Sequence, residues 1–120
     1  MVSLDTCLAI LDTVPHPLLF IDNDHAIRHL NRPAEKKYYE QRGLANLVGK
    51  SLFDCHAAVS RERIVDLHRR LQAGEDEIFL VVTPENERVT LVAVRDRQRN
   101  LLGYYERFEK VGAAVATTAC

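Results

Sequence analysis

The residues of this 120-residue chain best equipped for chemistry are the adjacent pair Cys55-His56 and a histidine further on, His68. A thiolate and an imidazole are both good metal ligands, and a thiolate beside a cation is reactive. Neighbours in sequence do not readily share one ion, however, and a structural zinc site takes four ligands. No C-x-x-C or H-x-x-x-H spacing lies near the pair, so a metal here needs His16, His25, His29 or His68 to arrive from elsewhere. The pair is read instead as a small buried hydrophobe beside a helix-end residue, and no metal site is expected. Ser51, Asp54, His56 and Ser60 are the residue types of a hydrolytic triad, but they crowd into ten residues of local chain. There is no G-x-S-x-G and no glycine-rich phosphate loop, so no catalytic centre is expected. Ile64, Leu67, His68 and Leu71 recur at i, i+3, i+4 and i+7, which places the His68 imidazole on or near a core-facing helical stripe. A histidine there is either a ligand or a partly buried, hydrogen-bonded core residue, and the second reading asks less of the surrounding sequence.

These residues need elements to hold them. Ser3 can cap a first helix with Leu4, Cys7, Leu8, Leu11 and Val14 on one face, stopped by Pro15. Pro17 to Asp22 is an apolar strand, Asp22-Asn23-Asp24-His25 a turn, and Ala26 to Leu30 a second strand. Asn31 can cap a helix over Ala34 to Gln41, with Pro33 in its first turn and Gly43 at its end. Leu52-Phe53 plugs the core from a brief helical segment, and Ser60 caps the clearest helix, Arg61 to Ala73, closed by Gly74. Three strands follow, Glu77 to Thr83, Arg88 to Arg95 and Leu101 to Glu109, joined by turns at Pro84-Glu85-Asn86 and Asp96 to Asn100. This order gives an α+β fold with a five-stranded antiparallel sheet.

Composition narrows the function. Sixteen Lys and Arg against seventeen Asp and Glu leave a net charge of -1, with no basic field to hold nucleic acid or anionic lipid. The charged runs Glu35-Lys36-Lys37, Arg61-Glu62-Arg63 and Arg95 to Arg99 mix signs or sit at a turn and read as solvated faces. No apolar stretch reaches the roughly 18 residues of a membrane span. Residues 1–15 lack the basic and apolar segments of a secretory signal, and three scattered cysteines do not form a disulfide framework, so a cytoplasmic protein is expected.

Three segments carry a family resemblance. LDTVPHPLLFIDNDHAIRHLNRPAEKKY from Leu11, GKSLFDCHAAVSRERIVDLHRRLQAG from Gly49 and VAVRDRQRNLLGYYERFEKV from Val92 resemble, in order and spacing, the opening, middle and closing hairpin of a PAS (Per-Arnt-Sim) domain. The resemblance spans Leu4 to Val111. It implies sheet order 2-1-5-4-3 with helices over one face enclosing a cavity, a single domain over residues 1–111, and a flexible tail or linker start at 112–120. It also implies a non-catalytic sensory module. Such a module binds a small ligand in the cavity, pairs with a second copy, or does both, as one part of a longer protein or through separate partners.

On that resemblance the candidate cavity residues are Tyr38, Phe53, Cys55, His56, His68 and Phe79. Haem-binding members take their iron ligand from the helix that matches the one carrying His68, which makes His68 the candidate axial ligand and Cys55 or His56 the lesser ones. Light-sensing members carry Asn-Cys-Arg-Phe-Leu-Gln after the glycine matching Gly49, where this chain reads Lys50-Ser51-Leu52-Phe53-Asp54-Cys55, so a flavin adduct is not expected. Homodimerisation is expected through Leu4, Leu8 and Leu11 of the first helix and an outer sheet face bearing Leu102, Tyr104 and Phe108. The alternative is a ligand-free interaction module whose core is closed by Leu19, Ile21, Tyr38, Phe53, His68, Phe79 and Val92. His25 and Arg99-Asn100 replace the family's turn glycines, so Asn or Asp is expected at any left-handed position.

Overall fold

Along the sequence, Pro, Gly and Asn break the chain into short apolar stretches, and in the computed structural model, which describes residues 1–55 and 58–111, those stretches become five strands and a set of helices. The order is α1 (Leu4–Asp12), β1 (Leu19–Asp22), β2 (Ile27–Leu30), α2 (Arg32–Glu35), a π-helical turn (Lys36–Gln41), a 3-10 turn (Leu52–Cys55), α3 (Ala58–Gln72), β3 (Glu77–Val82), β4 (Glu87–Arg95) and β5 (Leu101–Lys110). The strands form one antiparallel sheet in the order β2-β1-β5-β4-β3. The segment 112–120, read from sequence as a tail, lies outside the described residues.

Ile21, Ile27, Leu30, Ile78, Leu91 and Tyr104 lie on the inner face, where they pack with Ala34 of α2, Leu47, and Leu67 and Leu71 of α3; Ile27 and Leu30, three residues apart, share that face because the β1–β2 register shifts between them. The C-terminal end of α3 is fixed to the sheet by Arg95. Its Nε donates to Asp76 Oδ1 at 2.7 Å, and its Nη2 donates to the carbonyls of Leu71 at 2.6 Å and Glu75 at 3.0 Å. α3 begins at Ala58, so Ser60 lies inside it rather than capping it. The helix predicted over Ala34 to Gln41 is one α-turn from Arg32 followed by a π-turn, with Asn31 accepting from the Ala34 amide as its N-cap.

Two sequence expectations fail for local reasons. The left-handed positions of the first and last hairpin turns are held by His25 (φ 64°) and Arg99 (φ 72°) themselves, not by an Asn or Asp standing in for the missing glycine; only the β3–β4 turn uses an asparagine, Asn86 (φ 59°). In the first turn Asp22 Oδ1 accepts from the amides of Asp24 (2.9 Å) and Ala26 (3.1 Å), which closes the turn around His25. The second failure is one of parity. The β4–β5 register shifts between Val94 and Arg95, which pair with Gly103 and Leu101, so Leu102 is an extra residue pushed outward. Beyond that bulge Tyr104 and Phe108 point inward, not to the outer face where they were expected. Gly103 is required there: a Cβ would meet the Ile21 carbonyl and stand 2.8 Å from the Phe20 ring.

Candidate functional site

Where α3 crosses the sheet, the side chains do not fill the space beneath it. A cavity of about 380 Å³ remains, within the size range of small-ligand pockets. Its wall is mostly aliphatic: Leu19, Ile21 and Ile27 from the first hairpin, Leu80 and Leu91 from β3 and β4, Leu44, Leu47 and Leu52 from the connecting loops, and Ile64 and Leu67 from α3. Polar lining comes from Tyr38 and Arg42 at the π-turn, Ser60 and Arg63 on α3, and Tyr104 and Glu106 on β5, with Phe108 continuing that strand. Burial, reinforced by the Glu106 carboxylate, pushes the Tyr38 phenol up to about 12, so it stays protonated as a donor. The Arg42 guanidinium lies 5.5 Å from the Tyr38 ring centre, and the Lys37 ammonium lies 3.5 Å from that of Phe108.

One side of the cavity is backed by a polar cluster. The Tyr104 ring lines the cavity, while its hydroxyl shares a 2.8 Å hydrogen bond with His25 Nδ1. The His25 ring packs tilted against Phe53, with centroids 4.6 Å apart, and meets His68 edge-on at 4.8 Å. His68 Nε2 lies 3.0 Å from Asn23 Oδ1, and Asn23 Nδ2 donates to the Leu101 carbonyl at 2.7 Å. That second bond fixes the amide with its oxygen toward His68, so Nε2 carries the proton. Both imidazoles are 8–9 % exposed. Burial lowers the affinity of each for a proton, and for His25 the neighbouring His68 lowers it further.

Of the six residues proposed from sequence to line the cavity, Tyr38 does so. Phe53 and His68 pack beside it in the histidine cluster rather than on its wall. Phe79 faces outward, 57 % exposed, because β3 is apolar on both faces and its register sets Ile78 and Leu80 inward. The Cys55 side chain and His56 lie outside the described residues. His68 does not fit an axial haem ligand: it is off the cavity wall, and its Nε2 is spent as a donor to Asn23. Among the described residues no three His, Cys, Asp or Glu side chains converge as a metal site, and no helix is long and apolar enough to cross a membrane. The sequence reading missed Arg42, Arg63 and Glu106. Arg63 was legible in principle, since Ser60, Arg63, Ile64 and Leu67 share one helical face.

A family model described as the PAS fold matches residues 11–116. A search of curated protein sequences finds no match. Among solved structures, the chain is similar to the C-terminal domain of a protein from Streptococcus mutans (TM-score 0.78, 19% identity, 97% of this chain and 90% of that one). It is also similar to the PAS domain of nitrogen regulation protein NR(II) from Vibrio parahaemolyticus (TM-score 0.55, 23% identity, 92% and 100%). A third is the Aer2 receptor from Vibrio cholerae, a dual PAS-heme oxygen sensor (TM-score 0.56, 19% identity, 80% and 94%).

Proposed function

The chain belongs to the PAS family, and from that premise we propose that it is a non-catalytic sensory module that binds a small molecule in the cavity beneath α3 and passes the change on through a homodimer. One observation carries the reading: the inner face, which a mere scaffold would close, keeps about 380 Å³ open among aliphatic walls with tyrosine and charged groups on its lining. Tyr104 gives the site a route outward, because it touches the cavity with its ring and the first hairpin turn with its hydroxyl. Residues 1–111 act as one domain, and the module works in the cytoplasm.

Dimerisation rests on α1 and the outer sheet face. α1 buries none of its residues in its own domain, and Leu4 (73 % exposed) and Ile10 stand out from it, while Phe79, Val82 and Leu102 are exposed on or beside the sheet. That unpartnered surface also supports the rival reading, an interaction module that uses no ligand. Native mass spectrometry and sedimentation on one purified sample decide between them. A retained small mass, or a dimer whose association changes when a cavity ligand is added, is the expected result; a dimer with no retained mass and no ligand response identifies the interaction module. Visible absorbance of the same sample reports haem. Leu4→Glu with Ile10→Glu should give a monomer, because a symmetric contact of roughly 1,000 Å² does not survive a charge on each copy at its centre.

A further inference from the structure

The lining of the cavity is sorted by polarity, and the sorting is informative about the ligand. The wall formed by Ile21, Ile27, Leu47, Leu67 and Leu91 is buried and aliphatic or nearly so, whereas Arg42 and Arg63, which also line it, are exposed and approach from two different elements, the end of the π-turn and the first half of α3. Elsewhere in the molecule, Arg28, Arg69, Arg70, Arg95, Arg99 and Arg107 are each held by a carboxylate in a salt bridge, while Arg32, Arg88 and Arg97 form none among the described residues but do not line the cavity. Arg42 and Arg63 form none among the described residues. Glu106 is the one carboxylate among the lining residues, against two guanidinium groups, and Lys37 adds a further cation against Phe108. The cavity therefore presents an apolar interior with a net positive rim.

We propose that the ligand is an amphipathic carboxylate: an aliphatic or aromatic body seated against the leucine and isoleucine wall, with a single carboxylate held at the rim by Arg42 and Arg63. This rests on the sensory reading above and names its ligand class. Guanidinium groups suit the task because their planar donors match a carboxylate, and the aliphatic wall supplies the apolar burial that a free inorganic anion would lack. Glu106 sets a limit on the class. It repels a second anionic group next to the first, so one carboxylate is accepted and a dicarboxylate is not.

Octanoate, 1-octanol and octylamine share one chain and differ in head-group charge, and they probe the intact chain by isothermal titration, with amide NMR shifts of Ile64 and Leu91 locating the site. Octanoate should bind roughly ten-fold tighter than 1-octanol and octylamine, with its advantage eroded by 0.5 M salt. Arg42→Gln and Arg63→Gln should each bring octanoate down toward 1-octanol while leaving 1-octanol unchanged, which also shows that the variants are folded. Equal binding of octanoate and 1-octanol, or tighter binding of octylamine, overturns the carboxylate assignment and leaves the cavity as a ligand site. Binding of none of the three, with the Ile64 and Leu91 amides unmoved, overturns the assignment, and where native mass spectrometry also finds no retained mass, the cavity reading falls with it.

Discussion

At the scale of single residues, the least ordinary feature is a histidine in the left-handed region at a tight turn, a conformation that costs a non-glycine side chain about 1 kcal/mol or more. His25 is kept there by what its ring gains: a hydrogen bond with the Tyr104 hydroxyl and contacts with the Phe53 and His68 rings. These contacts favour neutral rings. Burial depresses the proton affinity of both imidazoles below the ordinary value of 6.5, and at His25 burial and the neighbouring His68 together outweigh the opposing pull of Asp22 and Asp24. As pH falls through 6.5 the unfolded chain takes up these two protons before the folded chain does, so stability declines from about pH 6.5 downward. Above that value both states are neutral at these sites and the slope vanishes. Urea midpoints at pH 7.5, 6.5 and 5.5 should therefore be level and then drop, and His68→Gln, which can still donate to Asn23, should reduce the drop. Imidazole NMR midpoints at or above 6.5 in the folded protein would contradict this account.

At the scale of elements, Asn31 does far more than cap α2. It is fully buried, and all four of its side-chain hydrogen bonds go to backbone: Oδ1 accepts from Leu18 (2.8 Å) and Ala34 (3.0 Å), and Nδ2 donates to the carbonyls of Leu11 (3.0 Å) and His16 (3.1 Å). One side chain thus joins the end of α1, the linker to β1 and the start of α2. Asn31→Ala leaves several buried backbone groups without that partner and should cost roughly 2–4 kcal/mol in chemical denaturation. Hydrogen exchange should show α1 losing protection first, since its remaining ties to the domain are few, chiefly Asp12 accepting from the Arg32 amide. Sequence alone made Asn31 legible as a cap because that bond is local. Its other partners lie 13 to 20 residues away, and nothing in the spacing announces them. The same boundary separates what was read from what was missed elsewhere. The strands themselves were legible as short apolar segments broken by turns, and their order in the sheet followed from the family resemblance, but the inward turn of Tyr104 and Phe108 depended on one bulged residue, Leu102, that reverses the alternation. Phe79 was misplaced because Glu77–Val82 is apolar on both faces, and the pairing of His25 with Tyr104 joins residues 79 apart in sequence.

At the scale of the whole molecule, the cavity has to be weighed against the small net stability of a domain this size, about 5–15 kcal/mol. The aliphatic side chains that face this cavity of about 380 Å³ forgo burial worth about 0.8 kcal/mol per methylene, so the open space leaves stability ungained. A sequence selected only to fold would fill it. Leu80 is the position to test this, since it lines the cavity from the edge strand β3 and is half-buried, so a larger ring can enter without displacing the buried centre at Leu91 and Tyr104. Leu80→Phe should raise stability by roughly 0.5–2 kcal/mol, seen as a Tm higher by several degrees, as cavity-filling substitutions do. It should also weaken octanoate binding by about ten-fold or more, because the ring takes the space the aliphatic chain would occupy. The two effects belong together: a fold that gains stability as it loses its ligand holds its interior open for use, whereas a Leu80→Phe variant that loses stability would mean that the space is already closed to a side chain of that size.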